Sequence, residues 1–183
     1  MKIIVFMADG MEMCECLLTV DILRRAGADV VTASVMGRTE VVSSHKVKIH
    51  ADCIAEEADI ASADMIVLPG GRVGTENLGN CDIVKEACLA FAGDRTKTVA
   101  AICAAPSVLA GLGILEGRKA TCHPDFAGRM EGAVLTGDSV TVDDNIITGQ
   151  GLGATYDFAL KLAGIAAGEE TVDKIARSTC WKQ

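Results

Sequence analysis

Aromatic residues are scarce in this chain: four Phe, one Tyr and one Trp among 183 residues. That excludes a stacking platform for single-stranded nucleic acid. Positive charge is also short. The 17 Lys and Arg face 25 Asp and Glu, a net charge of −8, which argues against any phosphate-backbone binder. No run approaches the ~20 apolar residues of a membrane span. The opening "MKIIVFMADG" lacks a signal-peptide pattern, so no membrane partner and a cytoplasmic location are expected. Eight cysteines are present but no C-x-x-C pair; Cys14 and Cys16 are too close in sequence for an ordinary zinc clamp. The expectation is a reducing compartment, mostly buried free thiols, and no metal. Repeats, low-complexity segments and linkers are missing too, so residues 1–183 read as a single domain.

Half of the residues are hydrophobic, and with few aromatics the core must be built from Ala, Val, Ile, Leu, Met and Cys. The apolar runs "KIIVFM", "DVVTAS", "ADMIVLPGG" and "KTVAAIC" have the continuous character of strands buried on both faces. Helical spacing follows over 11–26, with Gly27 as its stop, and over 82–92, 153–167 and 169–177. "APSVLAGLG" reads as a helix with Pro106 in its first turn. "VVSS" with "VKIHA" suggests a small hairpin or edge strand, and "RKATC" a short strand. "SVTVDDNIITG" suggests a hairpin bending at Asp-Asp-Asn. Alternating strands and helices predict an α/β sandwich with a mainly parallel central sheet and helices on both faces.

Ligands in such sheets bind beyond the carboxyl ends of the strands. "ADGMEMCE", "PGGRVG" and "CAAP" should therefore gather at one edge. Cys103 ends a strand just before a helix, a turn like a nucleophile elbow although the G-x-S-x-G pattern is absent. A helix N-terminus there would favour the thiolate, and Ala104 leaves room for close approach. From position alone, Cys103 is equally a core cysteine. Glu12 and Glu15 open the first helix, either as dipole partners or with one aimed at Cys103 as acid or base. Gly70 and Gly71 offer backbone N–H groups for an oxyanion, or simply a tight turn. His123 is a candidate third member; His45 and His50 read as surface or interface residues. Gly149, Gly151 and Ala154 formally fit G-x-G-x-x-A. No second strand with an acid about 20 positions on follows, so the glycines read as a close helix–sheet contact and no nucleotide cofactor is expected.

Taken together, "GMEMCECLLTVDILRRAGADV", "VLPGGRVGTENL", "AAICAAPSVLAGLGIL", "KATCHPDF" and "GQGLGATYDFALKL" resemble the ThiJ/PfpI superfamily, in the branch of the Parkinson-associated protein DJ-one and its bacterial relatives. The resemblance implies a flavodoxin-like three-layer sandwich and a homodimer. It places the family's reactive cysteine at Cys103, its paired acid at Glu15, its histidine at His123, and its diglycine at Gly70 and Gly71. It also implies a glutathione-independent glyoxalase or deglycase without cofactor, acting on small aldehydes or glycated adducts. Alternatively, the implied role is a stress sensor or chaperone whose cysteine oxidises to sulfinate. Gln150 and Leu152 stand where the animal branch has Arg and Pro, and Arg72 where it has Asn, so anion contacts are expected to differ. Cys14 is either a resolving thiol for Cys103 or buried in its helix. A cysteine peptidase or amidotransferase ranks last, because Ala104 occupies the place where the peptidase branch carries histidine.

Overall fold

Period-two alternation in the first strand decides the layering. In β1 (Lys2–Met7), Ile4 and Phe6 enter one core while Ile3, Val5 and Met7 enter another, as a strand buried on both faces must do. The computed structural model describes residues 1–181. After β1 come α1 (Met13–Arg25), β2 (Asp29–Ser34), a hairpin of β3 (Glu40–Val42) and β4 (Lys48–His50), and β5 (Cys53–Ile54). Next are β6 (Met65–Leu68), α2 (Arg72–Asn80), α3 (Asp82–Gly93), β7 (Thr98–Ile102) and α4 (Pro106–Gly111). The chain continues through β8 (Lys119–Ala120), β9 (Val134–Leu135), β10 (Val140–Asp143), β11 (Ile146–Gly149), α5 (Thr155–Ala167) and α6 (Glu169–Ser178).

The seven-stranded sheet has the order β10-β11-β7-β6-β1-β2-β5. β10 pairs antiparallel to β11; the other pairings are parallel. Cys16, Val20 and Leu23 of α1 and Phe158 and Leu162 of α5 pack on one face. Leu78, Val84, Cys88, Phe91 and Leu109 from α2, α3 and α4 pack on the other. The fold is thus the expected flavodoxin-like α/β sandwich. Among the described residues no helix is long and apolar enough to cross a membrane.

The chain leaves β1 toward β2 on one side and leaves β6 toward β7 on the other, so the order of strand addition reverses between the parallel neighbours β1 and β6. Their carboxyl ends, with that of neighbouring β7, bound the crevice where such sheets bind ligands.

Helix α2 is absent from the sequence expectation. Its "RVGTENLGN" is polar and carries two glycines, which weakens helix propensity. A Cβ on Gly74 would come within 2.6 Å of the Met11 backbone, so a tertiary contact, not periodicity, sets this helix. The expectation of mostly buried thiols also needs correcting. All eight cysteines are free, but only Cys16, Cys88 and Cys122 are buried, and Cys14 and Cys180 are exposed. Their neighbours in the sheet and helices decide this, and single-residue hydrophobicity does not report it.

The β10–β11 bend carries a structural anchor. Asn145 is buried, and its Nδ2 donates toward the carbonyls of Phe91, Lys97, Asp94 and Ala92 at 3.0, 3.1, 3.2 and 3.5 Å. These carbonyls close the segment between α3 and β7, so Asn145→Ala removes both amide hydrogens that this buried and half-buried set shares. An unsatisfied buried group costs about 1–3 kcal/mol. A loss of roughly 2 kcal/mol or more is expected, read from the urea midpoint at unchanged slope.

Candidate active site

Cys103 follows β7 directly and has φ of +65°. A non-glycine residue in this left-handed region stores strain of order 1–3 kcal/mol. The surroundings hold it there: the Cys103 N–H donates to the Gly149 carbonyl at 2.9 Å, and the Cys103 carbonyl accepts from the His123 N–H at 2.8 Å. Neighbouring β11 and the segment after β8 thereby fix the elbow, and the thiol projects off the strand end into the crevice.

The second component comes from α1. The Glu12 side chain caps this helix by accepting from the Cys14 N–H at 3.2 Å. One turn of helix then separates the two acids by geometry: Glu15 is turned inward and 1% exposed. The sequence left the choice between them open; the helix phase relative to the sheet decides it. Glu15 Oε2 accepts from the Gly70 N–H at 2.9 Å, while Oε1 is buried without a well-formed hydrogen bond. The carboxyl lies against the Cys103 thiol.

Burial raises Glu15 to about 7, against the lowering effects of the Cys103 and Gly70 contacts. Cys103 is pushed up to about 12, first by burial and then by the charge and hydrogen bond of Glu15. Backbone N–H groups of Gly71 and Ala104 pull the thiol the other way. Burial and the Glu15 charge thus oppose the thiolate that a helix N-terminus was expected to favour. Helix α4 has only six residues and begins at Pro106, beyond the turn, so burial and the facing carboxylate outweigh it. The two groups titrate as a pair. When Glu15 holds the proton, its charge no longer opposes ionisation, and the carboxyl proton can be donated to sulfur.

The diglycine has two separate jobs. A Cβ on Gly70 would sit 2.5 Å from the Cys103 Cβ and 2.6 Å from Glu15 Oε2. No other residue lets the β6 end approach both groups. Gly71 has φ of +91°, and a Cβ there would meet the Gly10 carbonyl oxygen at 2.4 Å. The expected pairing of Gly70 and Gly71 as an oxyanion site is corrected: the Gly70 N–H is already taken by Glu15. The N–H groups that face the thiol are those of Gly71 and Ala104.

Cys103, Glu15, Gly71 and His123 line one cavity of about 590 Å³, together with Glu12, Pro124, Ser139 and residues 150–154. The His123 side chain is 43% exposed. Its Nδ1 accepts from the Asp125 N–H at 3.3 Å and lies 3.9 Å from Asp125 Oδ2. His123 belongs to the wall, while Glu15 makes the intimate contact with sulfur.

Gly151 contributes a feature that the sequence reading passed over. A Cβ at this position would lie 3.5 Å from the His123 ring and 3.9 Å from Cys103 Sγ. A side chain here would occupy the space above the thiol. The G-x-G pattern was the available signal, although its first glycine serves packing: a Cβ on Gly149 would meet Ile102 and Phe158 side chains at 2.9 Å. That matches the reading of a close helix–sheet contact.

Of the departures noted in the sequence, Arg72 lies outside the cavity wall, its guanidinium 5.1 Å from the Phe126 ring centroid. Gln150 is on the wall and its Nε2 donates to the Gly137 carbonyl at 3.2 Å. Leu152 is exposed at the rim. Cys14 is exposed on the first turn of α1, which corrects the expectation that the helix buries it. His45 and His50 are exposed on the hairpin side, near Glu12 and Glu40 respectively. Among the described residues no group of three His, Cys, Asp or Glu side chains is placed to hold a metal ion.

The sequence profile of the DJ-1/PfpI family matches residues 1–164. The chain is 36% identical to Protein dj-1beta of Drosophila melanogaster over 95% of this chain and 94% of that protein. The crystal structure of Drosophila melanogaster DJ-1beta superimposes with a TM-score of 0.95, covering 100% of this chain and 98% of that one. Protein DJ-1 homolog B of Arabidopsis thaliana is 35% identical over 96% of this chain, which spans 40% of that longer protein. A Caenorhabditis elegans protein named glutathione-independent glyoxalase DJR-1.2 is 31% identical over 92% of this chain and 90% of its own length. By fold and by sequence, the chain belongs to the DJ-1/PfpI family.

Proposed function

We propose that the chain is a glutathione-independent glyoxalase, converting a 2-oxoaldehyde and water into a 2-hydroxy acid. The observation that carries this reading is the buried Glu15 carboxyl held against the Cys103 thiol at the end of the cavity. Such a pair can form a thiolate without outside help, by passing the thiol proton to the carboxylate.

Cys103 Sγ attacks the aldehyde carbon C1, and the carbonyl oxygen takes a proton to give a hemithioacetal. A carboxylate at Glu15 removes the hydrogen on C1 as the C2 oxygen gains a proton; the enediol then takes a proton back from Glu15 at C2 and loses the one on the C1 oxygen, yielding a 2-hydroxyacyl thioester. Water then cleaves the C1–S bond, releasing the 2-hydroxy acid and restoring the thiol. C1 is oxidised and C2 reduced within one molecule, so no outside electron carrier enters the balance. The Nε2–H of His123 can donate to a substrate oxygen, and the N–H groups of Gly71 and Ala104 lie beside the attacking sulfur.

The test is incubation with methylglyoxal in the absence of glutathione, with lactate measured directly. Sustained lactate formation supports the reading, and its absence at micromolar protein rules it out. A redox-sensing role shares the same thiol. It is supported by the partial exposure of Cys103 and by the Glu15 proton, which can stabilise an oxidised sulfur. Peroxide titration with peptide mass readout separates the two: sensing requires Cys103 to oxidise before the exposed Cys14 and Cys180. A homodimer and activity on glycated adducts belong to the same proposal.

A further inference from the structure

The cavity in front of Cys103 is charged on one side only. Its lining includes two carboxyl groups, Glu12 and Glu15, and neither lysine nor arginine. Arg38, Lys46, Arg72 and Arg129 all lie off that wall. Arg38 pairs with Asp9 at 2.6 Å, and Arg72 and Arg129 both stack on the Phe126 ring. The remaining basic wall residue, His123, is held at Nδ1 by Asp125, 3.3 Å from its N–H and 3.9 Å from its Oδ2. Gln150 brings an amide with one hydrogen committed to Gly137. An entering anion therefore meets two carboxyl groups and no lysine or arginine on the wall.

Glu12 is the acid that an incoming molecule meets. Its side chain is 14% exposed, against 1% for residue Glu15. Its position is fixed by three contacts. Oε1 accepts from the Cys14 N–H at 3.2 Å, Oε2 accepts from the Ser44 hydroxyl at 3.2 Å, and its backbone N–H donates to the Gly70 carbonyl at 2.9 Å. The imidazole nearest to Oε2, that of His45, is 3.7 Å away and largely exposed to solvent. The helix cap thus also holds a carboxylate at the cavity wall.

We propose that Glu12 is a specificity-determining residue that makes the Cys103 cavity admit uncharged electrophiles and disfavour carboxylate-bearing ones. Resting on the glyoxalase reading, this narrows the substrate class to uncharged 2-oxoaldehydes. Like charges in a partly desolvated cleft repel more strongly than in bulk water, and salt weakens that repulsion.

Two chemistries read the filter independently. In the first, kcat/KM is compared for 2-oxopentanal and 4,5-dioxopentanoate, 2-oxoaldehydes of similar length that differ by a terminal carboxylate. The wild type should favour the uncharged compound by about tenfold or more, equivalent to about 1.4 kcal/mol. Glu12→Gln retains a side-chain oxygen for the helix cap and should reduce the preference at least threefold, as should raising the salt concentration. In the second, Cys103 is alkylated with iodoacetamide or iodoacetate, followed by peptide mass mapping. The uncharged reagent should be favoured beyond its advantage on a free cysteine peptide, and Glu12→Gln should diminish that excess. A preference in alkylation without turnover of either aldehyde retains the filter and removes the glyoxalase reading. Equal treatment of both members in each pair, or a preference unchanged in Glu12→Gln, overturns the filter.

Discussion

Cys103→Ser is expected to reduce lactate formation from methylglyoxal at least about 10³-fold, to near the uncatalysed background. The hydroxyl is a far poorer nucleophile than a thiol at neutral pH, and Glu15 at about 7 is too weak a base to ionise it. The fold should survive, because the side chain is nearly isosteric and the backbone bonds from Cys103 to Gly149 and from His123 to Cys103 do not involve sulfur. The decisive comparison is therefore activity at matched thermal midpoint. Substantial residual turnover in Cys103→Ser would sink the covalent mechanism.

Glu15→Gln should have opposite effects on catalysis and stability. Removing a placed proton carrier costs about 10²–10⁴ in rate. Gln can still accept from the Gly70 N–H and donate to sulfur, so the loss isolates proton transfer from geometry. The stability effect follows from linkage. Glu15 rises from 4.5 to about 7 on folding. Between these values the native state holds a proton that the unfolded state has released. The wild type's stability therefore falls as pH rises from about 4.5 through about 7, and stays lowered above that. A neutral Gln escapes this penalty. Its advantage should be about 1–3 kcal/mol at pH 8 and vanish below about pH 4.5, as urea melts across that range would show.

The same pair sets the pH–rate profile. The reactive form, thiolate beside neutral Glu15, exists once the pair has lost one proton. Wild-type kcat/KM should rise with an apparent pKa no higher than about 7, the value to which burial brings Glu15. In Glu15→Gln the thiol must ionise alone from a buried position, so the rising limb should move to higher pH. An unchanged limb would assign the titration to another group.

These effects arise from a juxtaposition that the sequence only partly disclosed. The continuous apolar runs at 2–7, 65–68 and 98–102 determined a sheet buried on both faces. With intervening helices they also determined that the loops after those strands meet at one edge. Periodicity and chain order are local properties, and both are written residue by residue. The polar, glycine-bearing α2 was not legible, because its helix is set by contact with Met11 and not by its own pattern.

At the site, Cys103 and the Gly-Gly turn were visible as types and positions. Their division of labour was not. Only the folded chain shows that Gly70 N–H serves Glu15, that Gly71 faces sulfur, and that Glu12 and Glu15 point to different places from one helix turn. The thiol's upward shift was hidden for the same reason. Burial and the charge on Glu15 come from residues 88 positions apart in sequence, and no local reading weighs them against two backbone N–H groups. Chain order determined which residues arrive at the cavity, and three-dimensional packing decided which of them hold the proton, the charge and the space.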